Sequence, residues 1–259
     1  MPLIENITDN CNCPIFIFQG KNILVKKNSF KLPLITDFND YLASSKISMW
    51  FFETQYSYIA ASLKKDTTVP NNFELIPLRN IFANTISYAA TAARGIALLN
   101  WTNNERFCCK CGNKLIDSTT ETAKICSKCG QIVYPHLVPA VIVLIKKDNK
   151  ILLARHKNHI SDIYACISGF MEAGESAEDC VEREVFEETG LHIKNIQYRA
   201  TQSWPFPNQL MLGFTADWES GAITIQKEEL LEAKWFSTDK LPSIPPPGSI
   251  AYKLIKGIY

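Results

Sequence analysis

The sequence predicts an α+β chain in three parts: an N-terminal α+β domain over 1–104, a cysteine ribbon over 105–135, and a C-terminal domain of mixed strands and helices over 136–259. Three observations predict it. Short apolar runs separated by polar turns fill the first eighty or so residues. Cys108, Cys111, Cys126 and Cys129 form two C-x-x-C knuckles. From Pro139 onward, β-branched runs alternate with a segment that has a helix-start signal and glutamates at three-and-four spacing.

The elements follow in order. Pro14 to Phe18 and Asn22 to Val25 are apolar runs around the turn Gln19-Gly20-Lys21, a hairpin pattern. Met49 to Phe52 and Tyr58 to Ala61 are further strands. From Ile81 to Trp101 the period changes: Ile81, Thr85, Ala89, Ala92, Ile96 and Leu99 keep helical spacing, and a single helix is expected. Pro139 to Ile145 pairs across the polar turn Lys146–Lys150 with Ile151 to Ala154. Ser176 with Asp179 makes a capping box, Gly190 sits where a helix terminates, and a helix is expected between them. Pro245-Pro246-Pro247-Gly248 breaks the chain before a short terminal helix over Ser249 to Ile258.

Composition excludes several classes. Lys plus Arg is 27 and Asp plus Glu 26, so bulk charge does not draw the chain to polyanions or anionic membranes. With 46% hydrophobic and 20% charged residues, 259 residues can bury a core and are not a disordered chain. The longest uncharged apolar run, Val138 to Ile145, is far shorter than the ~20 residues of a membrane helix. The N-terminal stretch has neither a basic region nor an apolar block, so a cytoplasmic protein away from membranes is expected. Nine cysteines is an odd count, unlike a short secreted disulfide scaffold. Cys11 and Cys13, a C-x-C pair, fit free thiols in a loose tail better than a metal site, and His136, His156, His159 and His192 share no ligand spacing.

The four knuckle cysteines carry the first chemistry. Each knuckle is followed by glycine, Gly112 and Gly130, and fourteen residues separate the two. A C-x-x-C turn places two thiolates on one side of a tetrahedral Zn²⁺, and four thiolates leave no open position, so the ion would be structural. Thiol exchange is the alternative use of C-x-x-C, and two matched knuckles fit metal better.

The second chemistry lies in the stretch from Gly169 to Leu191. On a helix Glu184, Glu187 and Glu188 share one face, and their mutual repulsion asks for a compensating charge. Hard divalent cations such as Mg²⁺ or Mn²⁺ take carboxylate oxygens and leave positions for water and phosphate. Taken alone, E-x-x-E-E more often marks a solvated acidic face. Gly169, Glu175, Arg183, Glu184, Val185, Glu187, Glu188, Gly190 and Leu191 occupy every fixed position of G-x5-E-x7-R-E-U-x-E-E-x-G-U, with U a bulky aliphatic. The stretch resembles the Nudix box. The resemblance implies an α/β/α sandwich around a mixed sheet and hydrolysis of a nucleoside diphosphate linked to another moiety. It implies metal coordination by Glu184 and Glu188, with Glu187 as ligand or base. The backbone carbonyl of Ser168 and a later glutamate, here Glu229, complete the implied ligand set.

A third motif follows the box. Gln202, Ser203, Trp204, Pro205, Phe206, Pro207, Asn208 and Gln209 form a proline-braced segment expected as a rigid, extended loop offering Trp204 and Phe206 as flat walls for a base. Inward-packed aromatics in a surface turn are the plainer alternative. The segment Thr201 to Gln209, T-Q-S-W-P-F-P-N-Q, resembles the S-Q-P-W-P-F-P-x-S signature of the NADH pyrophosphatase (NAD-capped RNA hydrolase) family, departing at Thr201, Ser203 and Gln209. That family has the same order of N-terminal domain, ribbon and Nudix domain. Further contacts implied by the resemblance are Arg79, Glu121, Tyr134 and Ala251, together with a homodimer whose sites are built partly across the interface. The implied reaction splits NADH or NAD⁺ into AMP and nicotinamide mononucleotide, with removal of NAD caps from RNA as a second activity. A broader ADP-ribose-type dinucleotide hydrolase, and a non-cutting nucleotide sensor or RNA-docking module, are the competing expectations.

Overall fold

The computed structural model describes residues 13–38, 47–53, 58–157 and 162–259; Cys11 and His159 lie outside them. The chain divides into two compact units, 1–82 with 86–136, and 83–85 with 137–259. In the first, β1 (Ile15–Gln19) turns through Gly20-Lys21 into β2 (Asn22–Lys26), pairing Gln19 with Asn22. With β3 (Ile47–Glu53), β4 (Tyr58–Leu63) and β5 (Phe73–Pro77) they make a five-stranded sheet of order β3-β4-β1-β2-β5. Only β1 and β4 run parallel among these pairs. Ile15, Ile17, Leu24, Ile59 and Ala61 form the core on one face. Cys13 is disulfide-bonded rather than a free thiol.

The expected single helix over 81–101 is two: α1 (Leu78–Ala83) and α2 (Ala89–Asn104). Thr85, which the spacing put on the buried face, is exposed and left-handed with φ 51°. Ile86 N–H closes back on the Ile81 carbonyl at 3.1 Å, so the backbone turns there. Helical spacing survived the break because Ile81, Ala92, Ile96 and Leu99 are all buried by separate helices. Gly95 lets α2 approach the sheet: a Cβ there would stand 3.2 Å from Ala60 Cβ. The ribbon adds β6 (Leu115–Asp117), β7 (Lys124–Cys126) and β8 (Ile132–Val133) as a three-stranded sheet.

In the second unit one strand organises everything. β9 (Val138–Lys147) turns through Asp148-Asn149 into β10 (Lys150–His156). β9 also pairs antiparallel with β11 (Ile167–Phe170) and parallel with β13 (Gln209–Ser220). β12 (His192–Trp204) and β14 (Leu230–Ser237) close a mixed sheet of order β12-β13-β9-β10-β14. Strand period two splits β9 between two cores. Val141, Val143 and Ile145 face α3 (Ala177–Thr189), while Ala140, Ile142 and Leu144 face α4 (Ile250–Lys256). This is the α/β/α sandwich. No helix among the described residues is long and apolar enough to cross a membrane.

Candidate active site

The carboxylate helix begins and ends by local chemistry. Asp179 N–H donates to Ser176 Oγ at 3.1 Å, the Ser176 N–H donates back to Asp179 Oδ2 at 3.2 Å, and Gly190 takes φ 68° to end α3. Cys180, Val181 and Val185 are fully buried against the sheet, which fixes the helix's rotation. Glu184, Glu187 and Glu188 then stand beside β11, but not in equal surroundings. Glu187 is half exposed, Glu184 is mostly covered, and Glu188 is 1% exposed.

Arg183 supplies part of the compensation that three like charges require. Its guanidinium donates to Glu175 at 2.8 and 3.1 Å, to Glu184 at 2.8 Å, to Glu187 at 3.2 Å and to the Phe170 carbonyl at 3.0 Å. The bond to Arg183 holds the Glu175 carboxyl down at about 2. Glu188 receives none of this: neither of its buried oxygens has a hydrogen-bond partner. Burial, then the charges of Glu184, Glu229 and Glu187, push its carboxyl up to about 8. Burial also raises Glu184, against the pull of Arg183. A buried carboxylate without donors fits a hard cation held by oxygen ligands, which would supply the missing partner.

Ser168 and Gly169 lie on β11 opposite Ile142 and Val141, and Glu229 sits just before β14. Ser168, Gly169, Glu184, Arg183, Gln209, Met211 and Glu229 line one cavity of about 360 Å³. Gly169 is required there: a Cβ would lie 1.9 Å from the Glu184 carboxyl carbon. The obstructed atom ends a flexible side chain, so Gly169→Ala is expected to displace the carboxylate and leave the fold. Hydrolysis should fall about 100-fold with little change in thermal midpoint, since misplacement near 1 Å has that effect; parallel rate and melting measurements check it.

The proline-braced segment is a tight hairpin turn, not an extended loop. Trp204 pairs with Gln209 across β12 and β13, Phe206 N–H donates to the Trp204 carbonyl at 2.8 Å, and Phe206–Pro207 is cis. The register of two long strands leaves only Pro205 to Asn208 to reverse direction. Trp204 and Phe206 meet edge to face, 5.1 Å apart at 68°, so they do not form parallel walls. Pro205 is buried and Ser203 and Pro207 exposed. The Asn208 carbonyl accepts from Val138 N–H at 2.9 Å. Gln202 ties β12 to α4, donating to the Gly248 carbonyl and accepting from Ile250 N–H, both at 2.7 Å. Ala251, on the inner face of α4, is 7% exposed in the core that helix covers.

Three expected contacts belong to the first unit. Arg79 is exposed on α1, and Tyr134 Oη donates to Glu121 Oε1 at 3.2 Å. The charge of Glu121 raises the Tyr134 hydroxyl. In the ribbon, each knuckle repeats the other: Gly112 N–H donates to the Cys108 carbonyl and Gly130 N–H to the Cys126 carbonyl, both at 2.9 Å, with φ 71° and 72° at the glycines. The four sulfurs lie within 4.8 Å of one another, with three contacts at 3.5–3.6 Å. Four thiolates around Zn²⁺ at ~2.3 Å would stand about 3.8 Å apart, so the cluster fits a tetrahedral ion. Backbone N–H groups of Cys129 and Lys128 hold the Cys126 thiol well below its ordinary value, toward the thiolate a metal needs. Cys109, between Cys108 and Cys111, is exposed.

Sequence reasoning counted Arg183 only as a fixed motif position; its role as hub of the carboxylates was missed. Its i+4 spacing to Glu187 was the available signal.

A mixed sheet between two helical layers, an acidic helix and a main-chain strand edge gathered at one cavity define a hydrolase of phosphoanhydrides. The family match and the curated relatives agree. The Nudix domain family matches residues 135–256. The NAD-capped RNA hydrolase NudC of Haemophilus influenzae (strain PittEE) is 38% identical over 242 residues, 92% of this chain and 89% of the relative. That of Escherichia coli (strain SMS-3-5 / SECEC) is 41% identical over 179 residues, 69% of this chain and 70% of the relative. A crystal structure of a Nudix hydrolase from Nitrosomonas europaea aligns at 23% identity and TM-score 0.47, covering 58% of this chain and 90% of that one. This chain is a Nudix hydrolase and belongs to the NudC family.

Proposed function

We propose that this chain hydrolyses the pyrophosphate bond of NADH or NAD⁺, releasing AMP and nicotinamide mononucleotide, and cuts the same bond where NAD caps an RNA 5′ end. The observation that carries this reading is Glu188, a buried carboxylate with no donor at either oxygen, on the helix whose Glu184 lines a cavity with Glu229 and Ser168. The relatives' names support the substrate.

Glu184, Glu188, Glu229 and the Ser168 carbonyl would hold Mg²⁺ or Mn²⁺, with Glu187 as a further ligand or as base. When bound, the cations neutralise charge on the pyrophosphate and acidify the attacking water. Arg183 keeps Glu184 aimed by its 2.8 Å hydrogen bond, and the half-exposed Glu187 is open to take a proton from water. Trp204 and Phe206 offer ring faces and edges to the bases. Gln209 faces the cavity, while Gln202, Ser203, Pro205, Pro207 and Asn208 shape the turn that carries the two aromatics. Arg79, Glu121, Tyr134 and Ala251 are proposed as further substrate-side contacts. Zn²⁺ in the four cysteines would be structural, and the protein would work as a homodimer in the cytoplasm.

Purified protein with Mg²⁺ or Mn²⁺ is given NADH, NAD⁺, ADP-ribose and NAD-capped RNA, and the products are separated. AMP with nicotinamide mononucleotide, and 5′-monophosphate RNA from the capped transcript, are expected. Absence of AMP from every dinucleotide would overturn the proposal, and AMP chiefly from ADP-ribose would replace it with the broader hydrolase.

A further inference from the structure

The turn that presents Glu229 hangs from the carboxylate helix. Between β13 and β14, Thr224 N–H donates to the Thr189 carbonyl at 2.8 Å and Gln226 N–H to the Glu188 carbonyl at 3.0 Å. Both carbonyls belong to the last turn of α3, where intrahelical donors run out. A tight turn follows: the N–H groups of Glu229 and Leu230 share the Gln226 carbonyl at 3.1 and 2.9 Å, and Lys157 N–H closes on the Glu229 carbonyl at 2.8 Å.

Two glycines permit this approach. Gly221 has φ 95°, and a Cβ there would lie 2.8 Å from the Gly190 carbonyl oxygen. At Gly190, a Cβ would lie 3.3 Å from Thr224 Cβ. Glu188 therefore acts at both ends: its side chain belongs to the acidic helix face, and its carbonyl holds the turn that delivers Glu229 to the cavity lined by Glu184. Like charges repel, so a loop free to move would swing Glu229 away from Glu184. An anchor on the helix itself resists that.

We propose that the 221–229 strap is a positioning element, which by its two bonds to α3 holds Glu229 in the cavity that Glu184 lines and so sets the site's affinity for divalent cations; this rests on the cation-binding reading above. Gly221 and Gln226 act through Glu229 and touch no substrate.

Mn²⁺ binding to the zinc-loaded protein, read from the electron paramagnetic resonance of free Mn²⁺, tests it in wild type, Gly221→Ala, Glu229→Gln and the double variant. Gly221→Ala should weaken binding about tenfold, in the range of losses when a ligand's support is removed. The double variant should bind no more weakly than Glu229→Gln alone, because the strap acts through that carboxylate. Unchanged affinity in Gly221→Ala, or additive losses, would overturn the proposal. Should Gly221→Ala fail to fold, amide exchange in the wild type decides: Thr224 and Gln226 should be as protected as the last turn of α3 and slow further with Mn²⁺. Rapid exchange of both amides in the Mn²⁺-bound protein would overturn the strap alone. A wild type that binds no Mn²⁺ would instead overturn the cation-binding reading, and the strap's role with it.

Discussion

Glu188→Gln should reduce dinucleotide hydrolysis about 1,000-fold or more while raising the thermal midpoint of the metal-free protein. The activity loss follows from removing charge where cation and transition state need it, at the upper end of single-group electrostatic effects. The stability gain follows from burial. Glu188 is 1% exposed and its ionised form lacks donors, so the folded protein resists its ionisation and holds that carboxyl up at about 8 against an ordinary 4.5. Between those values the folded chain keeps a proton that the unfolded chain has lost. This contribution is therefore present in full below pH 4.5 and declines as pH rises toward 8. One proton corresponds to at most ~1.4 kcal/mol per pH unit. Melting curves of the wild type without divalent cations should shift downward between pH 5 and 8, and Glu188→Gln should remove that part of the slope. Added Mg²⁺ or Mn²⁺ should raise the wild-type midpoint most at the alkaline end. A variant that keeps its activity, or melts lower than wild type at pH 8, would contradict the assignment.

If the four cysteines hold Zn²⁺ as proposed, stripping it should unfold the ribbon. Its buried core is Cys108, Leu115, Cys126 and Val133, so two of four members are cysteines proposed to hold the ion. Strands of three, three and two residues bury too little to offset their own ordering entropy. Structural zinc supplies ~10–16 kcal/mol in comparable small sites. A strong chelator, or Cys126→Ser, should expose residues 106–134 to protease and to rapid amide exchange. The six-stranded sheet, whose two cores contain no ribbon residue, should keep its protection. A ribbon that stays protected after complete zinc removal would show that the cysteines stabilise it by packing alone.

The box helix was the most legible element because everything that starts, stops and orients it is local. Ser176, Asp179 and Gly190 fall within one segment, and the buried face of Cys180, Val181 and Val185 repeats at helical spacing. The hairpins at Gly20-Lys21 and Asp148-Asn149 were legible for the same reason. The break near Thr85 was not, because residues on both sides of it keep helical spacing while belonging to different helices. The Trp204 to Gln209 turn was misjudged as extended: prolines stiffen a backbone either way, and the long register between β12 and β13 decides its path. Gln202 was placed only as part of the proline-braced segment; its amide joins β12 to the start of α4, a segment almost fifty residues later, a link no local spacing announces.

The linear order of residues determined which side chains share a face, where the helix caps lie, and which four sulfurs are paired by their knuckles; these depend on neighbours within one or two turns of chain. Only the tertiary structure decided that Glu188 is buried without a donor while Glu187, one residue away, stays wet and paired with Arg183. It also decided that Glu229 reaches the cavity on a strap held by the helix's own carbonyls. The physical reason is that desolvation depends on which distant segments arrive to exclude water. That sum over packed neighbours is not encoded by the spacing of any one stretch.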